Sequence, residues 1–213
     1  MNHPSSRPTG HGITIGTPRF YDLFVALLFG GTRRRSYRRL LVASGVRPGD
    51  RVLDIGCGPG FFARMLAEAV GSEGSVVGVD AAPEMIEYAG RKARRLANCK
   101  FQPGAAESLA FPDASFDVVV SSLMMHHLPS ELRFQAAREM RRVLRPGGRL
   151  LVADFTVPEH GGLRLVASIT GHAGDKWRRR VTPLEALLAE ADFTELRSGV
   201  APPWLHYVGA IRR

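Results

Sequence analysis

A glycine-dense turn is the strongest indication of chemistry in this sequence. The stretch VLDIGCGPG, from Val52 to Gly60, is an apolar run that ends in three closely spaced glycines. Glycine lets a backbone approach a ligand closely and adopt conformations that other residues resist. The helix predicted after the turn offers unpaired backbone N–H groups at its start. The pattern favours a nucleotide-like ligand, with a turn that serves only packing as the alternative.

A carboxylate follows at the position where such a ligand would carry its sugar. The apolar stretch from Val77 to Val79 ends in Asp80, 20 residues beyond Gly60. An acidic side chain at this place can accept hydrogen bonds from both ribose hydroxyls of an adenosine. On its own, Asp80 could equally cap the next helix. Together with the glycine turn, it indicates an adenosine site.

Nicotinamide dinucleotide enzymes share these two features, but their turn has the spacing G-x-G-x-x-G. In this chain Phe61 stands where the last glycine of that pattern belongs. Asp54, inside the first predicted strand, is also out of place there because its carboxylate would repel a diphosphate. A ligand without phosphates and with a positive centre suits the residues better.

Alternating strands and helices must position these residues. The hydrophobic patterns predict seven strands, at Arg51–Ile55, Ser75–Val79, Cys99–Gln102, Phe116–Ser121, Arg149–Phe155, Phe193–Ser198 and Leu205–Ile211. Helices are predicted between them, at residues 61–70, 83–96 and 131–144, and after a start formed by Thr182 and Pro183. Such alternation is typical of parallel βαβ units. The fold predicted is therefore α/β, doubly wound and Rossmann-like, with helices on both faces of the sheet.

The predicted organisation has a main domain and two appendages. Residues 1–18 form a flexible tail because they contain too little apolar surface to offset the entropy of ordering. Residues 19–45 form two amphipathic helices, at Phe20–Phe29 and Tyr37–Leu41, with Leu23 and Leu27 among the residues of the apolar stripe. Residues 46–213 form the main domain, with residues 156–181 inserted as a lid.

Composition is that of one globular domain in a reducing compartment. The 213 residues are 45% hydrophobic, no apolar run has the length needed to cross a bilayer, and no secretory pattern begins the chain. Cys57 and Cys99 have no spacing typical of a metal site or a disulfide framework. The sequence therefore predicts a cytoplasmic protein without a metal ion.

The positive charge is concentrated near the start of the chain. The net charge is +9, and residues 1–51 contain nine arginines against Asp22 and Asp50. Such a balance can attract nucleic acid or an anionic membrane surface. An arginine-rich composition without a functional cause is the alternative.

Four sequence motifs of the chain resemble those of the class I S-adenosylmethionine-dependent methyltransferases, in particular of their ubiquinone/menaquinone C-methyltransferase-like branch, methyltransferase type 11. The resemblance runs from Tyr21 to Phe155 through VLDIGCGPG, GVD, GAAESLAFPDASFDVVVSSLMMHHL and LRPGGRLL. It implies a seven-stranded sheet in the order 3-2-1-4-5-7-6, with strand 7 antiparallel. It also implies an enzyme that takes a methyl group from S-adenosylmethionine and releases S-adenosylhomocysteine.

The resemblance assigns the methionine end of the cofactor to the glycine turn. Asp54, Gly56, Cys57 and Gly58, with Gly60 beside them, would surround its amino and carboxyl groups. Ser121 and Ser122 would lie near the sulfonium, and Asp80 would hold the ribose.

On the adenine side, the resemblance places Ala81 and Met85 against the ring and Ala106 and Glu107 at its edge. Met85 has an alternative reading, because its helical stripe could make it part of the core. The branch usually has an aspartate at the position of Ala105, where it bonds the adenine amino group. Adenine recognition must therefore differ or be weaker here, and Glu107 is the candidate substitute.

Methyl transfer from a sulfonium needs alignment and exclusion of water rather than a dedicated nucleophile. A hydroxyl or acidic carbon acceptor also benefits from a general base, a task for which histidine has a suitable pKa. His126 is the candidate, since it follows the fourth strand at the substrate end of the sheet. His127 is a weaker one, and a structural role for both is the alternative.

The acceptor is predicted to be small and apolar or aromatic, such as a quinone precursor, a polyketide or a lipid. In relatives that act on small molecules, the first two helices pack over the site as a cap. Their aromatic and aliphatic stripe in this chain suggests an apolar acceptor, with simple core contact as the alternative. His160, His172 and Trp177 of the lid could shape the pocket, and the arginines of residues 33–39 could attract an anionic substrate or the periphery of a membrane.

Two other functions stay open. An RNA or protein methyltransferase is favoured only by the charge, and the chain has neither an N-P-P-Y-type motif nor an added RNA-binding domain, so a nucleic acid partner is not expected. A non-catalytic S-adenosylmethionine-binding protein is suggested only by Ala105. The sequence identifies neither the methylated atom nor the oligomeric state.

Overall fold

The computed structural model describes residues 29–155, 183–203 and 205–213, together with Pro18, Leu23, Val25 and Leu27. Its seven strands form one sheet: β1 Arg51–Ile55, β2 Ser75–Asp80, β3 Cys99–Pro103, β4 Phe116–Ser122, β5 Leu144–Phe155, β6 Phe193–Ala201 and β7 Leu205–Arg212. Their order is β3-β2-β1-β4-β5-β7-β6. β7 runs antiparallel to both of its neighbours, and the pairs from β3 to β5 are parallel. The predicted fold class, strand order and antiparallel strand are confirmed.

Helices cover both faces of this sheet. They are α1 Arg33–Ala43, α2 Phe61–Val70, α3 Pro83–Lys92, α4 Ser130–Val143 and α5 Leu184–Glu190, with a 3-10 turn at Met125–His127. One core cluster contains side chains of α1 and α2, and the other contains those of α4 and α5. Successive residues of β1 alternate between them, since Val52 faces the first cluster and Leu53 the second.

The central strand explains why the sheet needs two helical layers. In β4, Val118, Val119 and Val120 are all fully buried. Because successive side chains of a strand point to opposite faces, this run of valines is buried only if both faces are covered. The carboxyl end of β4 thus lies between two cores, which hold the loop that follows it.

Several predicted bounds differ from the observed ones. β5 begins at Leu144 rather than Arg149, because Leu144 pairs with Phe116 across a register shift before the regular ladder resumes at Arg149. α3 ends at Lys92 rather than residue 96. Pro183 precedes α5 instead of forming its first turn, and Thr182 is outside the described residues.

The start of the chain also differs from its prediction. Leu23 and Leu27 were expected on an inward stripe but are 57% and 70% exposed, while Val25 and Phe29 are buried. The next helix begins at Arg33, earlier than the predicted Tyr37. The tail over residues 1–17 and the lid over residues 156–181 lie outside the described residues, so both stay predictions. Within the described ranges, no helix combines the length and apolar character needed to cross a membrane.

Candidate functional site

The carboxyl ends of the central strands bring the predicted site residues to one edge of the sheet. Asp54 lies in β1, Asp80 ends β2, and Ser121 and Ser122 end β4. The strand order reverses between β1 and β4, so their connections diverge to opposite faces and leave a crevice. Open α/β sheets bind their ligands at such a switch point.

The glycine turn after β1 requires glycine for two different reasons. Gly56, Gly58 and Gly60 all have positive φ, at 70°, 50° and 71°, which side chains other than glycine rarely tolerate. A Cβ at Gly56 would also lie 2.3 Å from the Cγ atom of Met124, in the loop after β4. At Gly60 it would meet Phe101 and Ala89 instead. Gly60 therefore serves helix packing, and its predicted cofactor contact stays a prediction.

Backbone hydrogen bonds hold this turn against the end of β2. The N–H groups of Gly56 and Cys57 both donate to the Val79 carbonyl, at 2.8 and 3.0 Å. The Cys57 thiol is buried, and burial raises its pKa well above the ordinary value, so the thiol stays protonated. Cys57 therefore contributes its backbone and its bulk to the turn rather than a thiolate.

We expect Gly56→Ala to destabilise the fold by about 3 kcal/mol, because it combines backbone strain with a collision at Met124. The matched control is Gly147→Ala, whose φ is also positive but whose added Cβ meets nothing within 4 Å. Strain alone should cost that variant about 1 kcal/mol. Urea unfolding of both variants measures the difference. Equal losses would mean that the contact between the two loops is not tight.

Asp80 joins the turn to the end of β2. Its Oδ2 atom accepts the Gly58 N–H at 2.8 Å and its Oδ1 atom accepts the Ala82 N–H at 3.0 Å. Burial raises the pKa of Asp80, and these two hydrogen bonds oppose the shift. Each carboxylate oxygen can accept a further hydrogen bond. Asp80 is thus fixed in orientation and retains acceptor capacity for a pair of hydroxyls.

Asp54 is the most unusual group of the site. It is 1% exposed, and neither of its oxygens has a hydrogen-bond partner among the described residues. Burial is the largest cause that raises the pKa of Asp54 from 3.8 to about 7, and the charge of Asp80 is the second. The backbone of Ala63 acts in the opposite direction, although it is not placed to make a regular hydrogen bond. A buried carboxylate without a partner is costly. It fits a ligand that brings a cationic donor, such as the ammonium group of S-adenosylmethionine.

Ser121 and Ser122 extend the site along β4. Ser121 is buried, and its hydroxyl has no partner within the described ranges. The Ser122 hydroxyl lies 3.5 Å from the Tyr37 hydroxyl of α1. Helix α1 therefore reaches the crevice, and Tyr37 is a site residue that the sequence did not reveal.

Tyr37 belongs to an aromatic group beside the glycine turn. Its ring lies 5.2 Å from those of Phe61 and Phe62, at the start of α2, and 6.1 Å from that of Phe29. The Arg33 guanidinium lies 4.0 Å from the Phe61 ring centre. These rings belong to the core cluster between α1 and α2, so the part of the protein next to the Tyr37 hydroxyl is apolar.

The residues predicted for adenine are less closely gathered. Ala81 is exposed, and Met85 is half-buried but belongs to neither core cluster, which disagrees with its alternative reading as core. Ala105 begins a tight turn in which its carbonyl accepts the Ser108 N–H. Ala106 packs into the core, and Glu107 is half-buried. Their contacts with adenine stay predictions.

His126 and Asp154 form the second polar centre of the site. Its Nδ1 atom lies 2.6 Å from Asp154 Oδ1, and its backbone N–H donates to Asp154 Oδ2 at 2.9 Å. The Phe155 N–H also donates to Oδ1 at 2.8 Å. Because Asp154 accepts at Nδ1, that nitrogen carries the proton and the lone pair of the imidazole is on Nε2. The sequence alone did not identify Asp154 as a site residue, because its only signal there is an acidic residue at the end of β5.

His127 contributes less to this centre. Its ring lies 4.0 Å from that of His126, at an angle of 42°. It is half-buried, whereas His126 is buried. His160, His172 and Trp177 of the predicted lid lie outside the described residues.

Comparison with known proteins shows the family of this chain. A family model described as a methyltransferase domain matches residues 52–148. The ubiquinone/menaquinone biosynthesis C-methyltransferase UbiE of Ectopseudomonas mendocina is 43% identical over 143 residues, 65% of this chain and 54% of that protein. UbiE of Teredinibacter turnerae is 34% identical over 180 residues, 83% of this chain and 69% of that protein. The match spans about half the length of the first of these relatives, and of other UbiE proteins that are 38% identical to this chain.

Solved structures share the same fold. A SAM-dependent methyltransferase from Aquifex aeolicus superposes with a TM-score of 0.70 at 21% identity, covering 93% of this chain and 100% of that one. At 21% identity, this likeness shows the fold alone. The relationship in sequence is shown by the family model and the curated relatives. The chain belongs to the class I S-adenosylmethionine-dependent methyltransferases, a family of enzymes.

Proposed function

We propose that this protein transfers the methyl group of S-adenosylmethionine to a small, apolar or aromatic acceptor. The observation that carries the proposal is the pairing of two different centres in one crevice. Asp54 and Asp80 suit a cationic nucleoside, and His126 with Asp154 suits removal of a proton. The curated relatives named as ubiquinone/menaquinone C-methyltransferases favour an acceptor of the quinone class.

Cofactor binding is assigned to the ends of β1 and β2. Asp54 would accept the hydrogen bonds of the ammonium group, and Asp80 would accept those of the ribose hydroxyls. S-adenosylmethionine supplies an electrophilic methyl carbon on a sulfonium. Since both carboxylates lie in a poorly solvated crevice, they attract a cation more strongly than they would in water.

Proton removal is assigned to His126. As the acceptor attacks the methyl carbon, Nε2 takes the acceptor's hydroxyl or C–H proton, and Asp154 stabilises the imidazolium that forms. Asp154 also fixes the ring in one orientation, because it binds both the side chain and the backbone of His126. An acceptor with an acidic proton, such as a phenol or hydroquinone, suits this base.

The acceptor is assigned to the side of the crevice lined by α1. The packed rings of Tyr37, Phe61 and Phe62 make this side of the molecule apolar, and the Tyr37 hydroxyl provides a polar group beside Ser122. A flat aromatic ring with one or two hydroxyls combines the same properties. A panel of naphthohydroquinones, catechols and simple phenols therefore covers the acceptor class, with transfer of a labelled methyl group as the readout.

We expect S-adenosylmethionine and S-adenosylhomocysteine, each at about 100 times its Kd, to raise the melting temperature by about 5–10 °C, because a ligand that binds only the folded state stabilises it by mass action. NAD should give no rise, since Asp54 disfavours its diphosphate. Thermal melting measures all three ligands.

Asp80→Ala should abolish that rise, because it removes the acceptor for both ribose hydroxyls. Asp113→Ala is the control, since Asp113 is exposed and bonds only Arg142 in the described structure. A rise with NAD alone would overturn the assignment of the cofactor. A cofactor-dependent rise without methyl transfer to any member of the panel would instead favour a non-catalytic binding protein.

A further inference from the structure

The outer side of α1 presents a positively charged surface, here called the basic face. Its four arginines are exposed, at positions Arg34, Arg35, Arg38 and Arg39. None of them has an ion pair or hydrogen bond within the described part of the chain. No carboxylate occurs in the sequence from Phe29 to Gly49. The charge of this face is therefore not neutralised by its own neighbourhood.

Apolar side chains border the basic face. The large hydrophobic residues exposed in the described structure are Leu23, Leu27, Val42 and Val200, at 57%, 70%, 80% and 60%. Val42 follows Arg35, Arg38 and Arg39 by seven, four and three residues, which places it on their side of the helix.

The other members of this border come from two neighbouring segments. Leu23 and Leu27 are four residues apart on the outward side of the segment that leads into α1. Val200 lies in β6, a strand that contacts α1, and the Ser36 hydroxyl of α1 donates to the carbonyl of Pro202 just after this strand. The large apolar residues exposed in the described structure therefore lie on α1, on the segment before it and on a strand that contacts it.

We propose that the basic face and its apolar border dock on the surface of an anionic lipid bilayer. Arginines attract anionic headgroups, and leucine and valine insert between the acyl chains below them. A nucleic acid would use the charge equally well, but it stacks its bases on exposed aromatic rings. The exposed large hydrophobic residues of the described structure include no aromatic ring. The combination on this face therefore favours a bilayer.

The same helix connects this surface with the crevice. The basic face lies on one side of α1, and Tyr37 on the other side contacts Ser122. A helix is only about 10 Å thick, so the docked protein holds its crevice close to the headgroups. If the proposed function is correct, an apolar acceptor can pass from the bilayer to the crevice over a short distance. This last step alone rests on the proposed function.

Sedimentation of the full chain with vesicles tests the docking. We expect binding to vesicles of phosphatidylcholine mixed with phosphatidylglycerol, and little binding to phosphatidylcholine alone. Each arginine near an anionic surface contributes roughly fivefold to the partition coefficient. Replacing all four arginines of the basic face with glutamine should therefore lower it by roughly 600-fold, and raising the salt concentration should weaken the wild type.

A control variant separates this surface from general charge. Arg91, Lys92, Arg94 and Arg95 are also exposed, at the end of α3 and just beyond it. Replacing these four with glutamine removes the same charge, and we expect less than a threefold change in the partition coefficient. A triple variant of the apolar border, Leu23→Ser, Leu27→Ser and Val42→Ser, should lose at least tenfold without any change in charge.

Three results would overturn the docking. These are equal binding to both vesicle types, equal losses in both glutamine variants, and release of the protein from vesicles by a short RNA that binds it more tightly. Methyl transfer to a water-soluble hydroquinone without vesicles reports the proposed function separately. Transfer without vesicle binding would remove only the docking, and vesicle binding without transfer would remove only the proposed function.

Discussion

Replacing Asp154 with asparagine should lower the turnover number by about 1,000-fold, within the range that a general base contributes, while the Kd for S-adenosylmethionine changes by less than threefold. The Asp154 carboxylate accepts a hydrogen bond from the protonated Nδ1 atom of His126, at 2.6 Å. An asparagine amide can turn its NH2 group towards that nitrogen, which then becomes the acceptor. The proton moves to Nε2, and the imidazole can no longer take a proton from the acceptor.

Single-turnover transfer of a labelled methyl group and equilibrium binding of the cofactor measure the two quantities separately. Asp113→Asn is the matched control, because this exposed carboxylate contacts only Arg142 in the described structure. Melting curves must accompany both variants, since Asp154 also accepts the backbone N–H groups of His126 and Phe155. A loss of turnover in a variant that melts near the wild-type temperature reports on the base.

A second variant keeps the role of the pair testable even if Asp154→Asn is unstable. His126→Ala should lose a similar factor and leave a cavity the size of an imidazole. Added imidazole should enter this cavity and restore part of the turnover, because it can remove the acceptor's proton in place of the missing side chain. A purely structural role of His126 would give no such rescue. A drop of less than tenfold in both variants would mean that the pair only holds the loop after β4.

Local signals were enough for two of the elements that carry the candidate cofactor site. β1 and α2 have the bounds that the sequence predicts, Arg51–Ile55 and Phe61–Val70. Glycines with positive φ flank both elements and mark where each begins and ends, as Gly71 does at the end of α2. Where the turn chemistry is encoded in neighbouring residues, the sequence alone is sufficient.

Residues that meet through the sheet could not be found in that way. Asp154 contacts a histidine 28 residues away, and Tyr37 contacts a serine 85 residues away. The first contact depends on the register of β4 against β5, which pairs Ser122 with Ala153 and so sets Asp154 at the end of β4. The second depends on how α1 packs against the sheet. Periodicity predicts that two strands exist, but it does not give their register.

The wrong prediction of the buried side of the first helical segment has a similar cause. The first helical segment has apolar residues on two sides, and its sequence does not say which side meets the core. The structure buries Val25 and Phe29 and leaves Leu23 and Leu27 exposed. The choice follows from contacts with the domain, where Phe29 joins the aromatic group around Tyr37.

The free energy of unfolding without ligand should fall by about 4 kcal/mol as the pH rises from about 4 to about 7, through Asp54 alone. The folded pKa of Asp54 is raised from 3.8 to about 7. Between these values the folded state binds the proton and the unfolded state has lost it, so stability decreases as the pH rises. Below the lower value and above the upper one, this contribution is constant.

Asp54→Asn removes that dependence, and the difference between wild type and variant isolates it from every other titrating group. At pH 8 the variant should be more stable by about 1–3 kcal/mol, because the penalty of the buried charge exceeds the cost of an unpaired amide. Urea unfolding across this pH range measures the difference curve. A flat curve would mean that water or another donor already solvates the carboxylate.

Asp50→Asn is the matched contrast, since this buried carboxylate is paired. It accepts the Arg47 N–H and an Arg149 guanidinium N–H, both at 2.7 Å. Its replacement should lower stability at pH 8 by about 3 kcal/mol, as expected when one partner of a buried pair is removed. Two similar substitutions in one strand region should thus have opposite signs, because one carboxylate has its cation within the fold and the other does not.

Cofactor binding should reverse the advantage of Asp54→Asn. The ammonium group of S-adenosylmethionine would supply the missing cation, so the variant should lose about 100-fold in affinity, the value of charge-assisted hydrogen bonds to one carboxylate. In the wild type, affinity should increase with pH up to about 7, because only the ionised carboxylate attracts that group. A variant that is more stable alone but less stabilised by the cofactor would identify Asp54 as a group whose cost to the fold is offset only by its ligand.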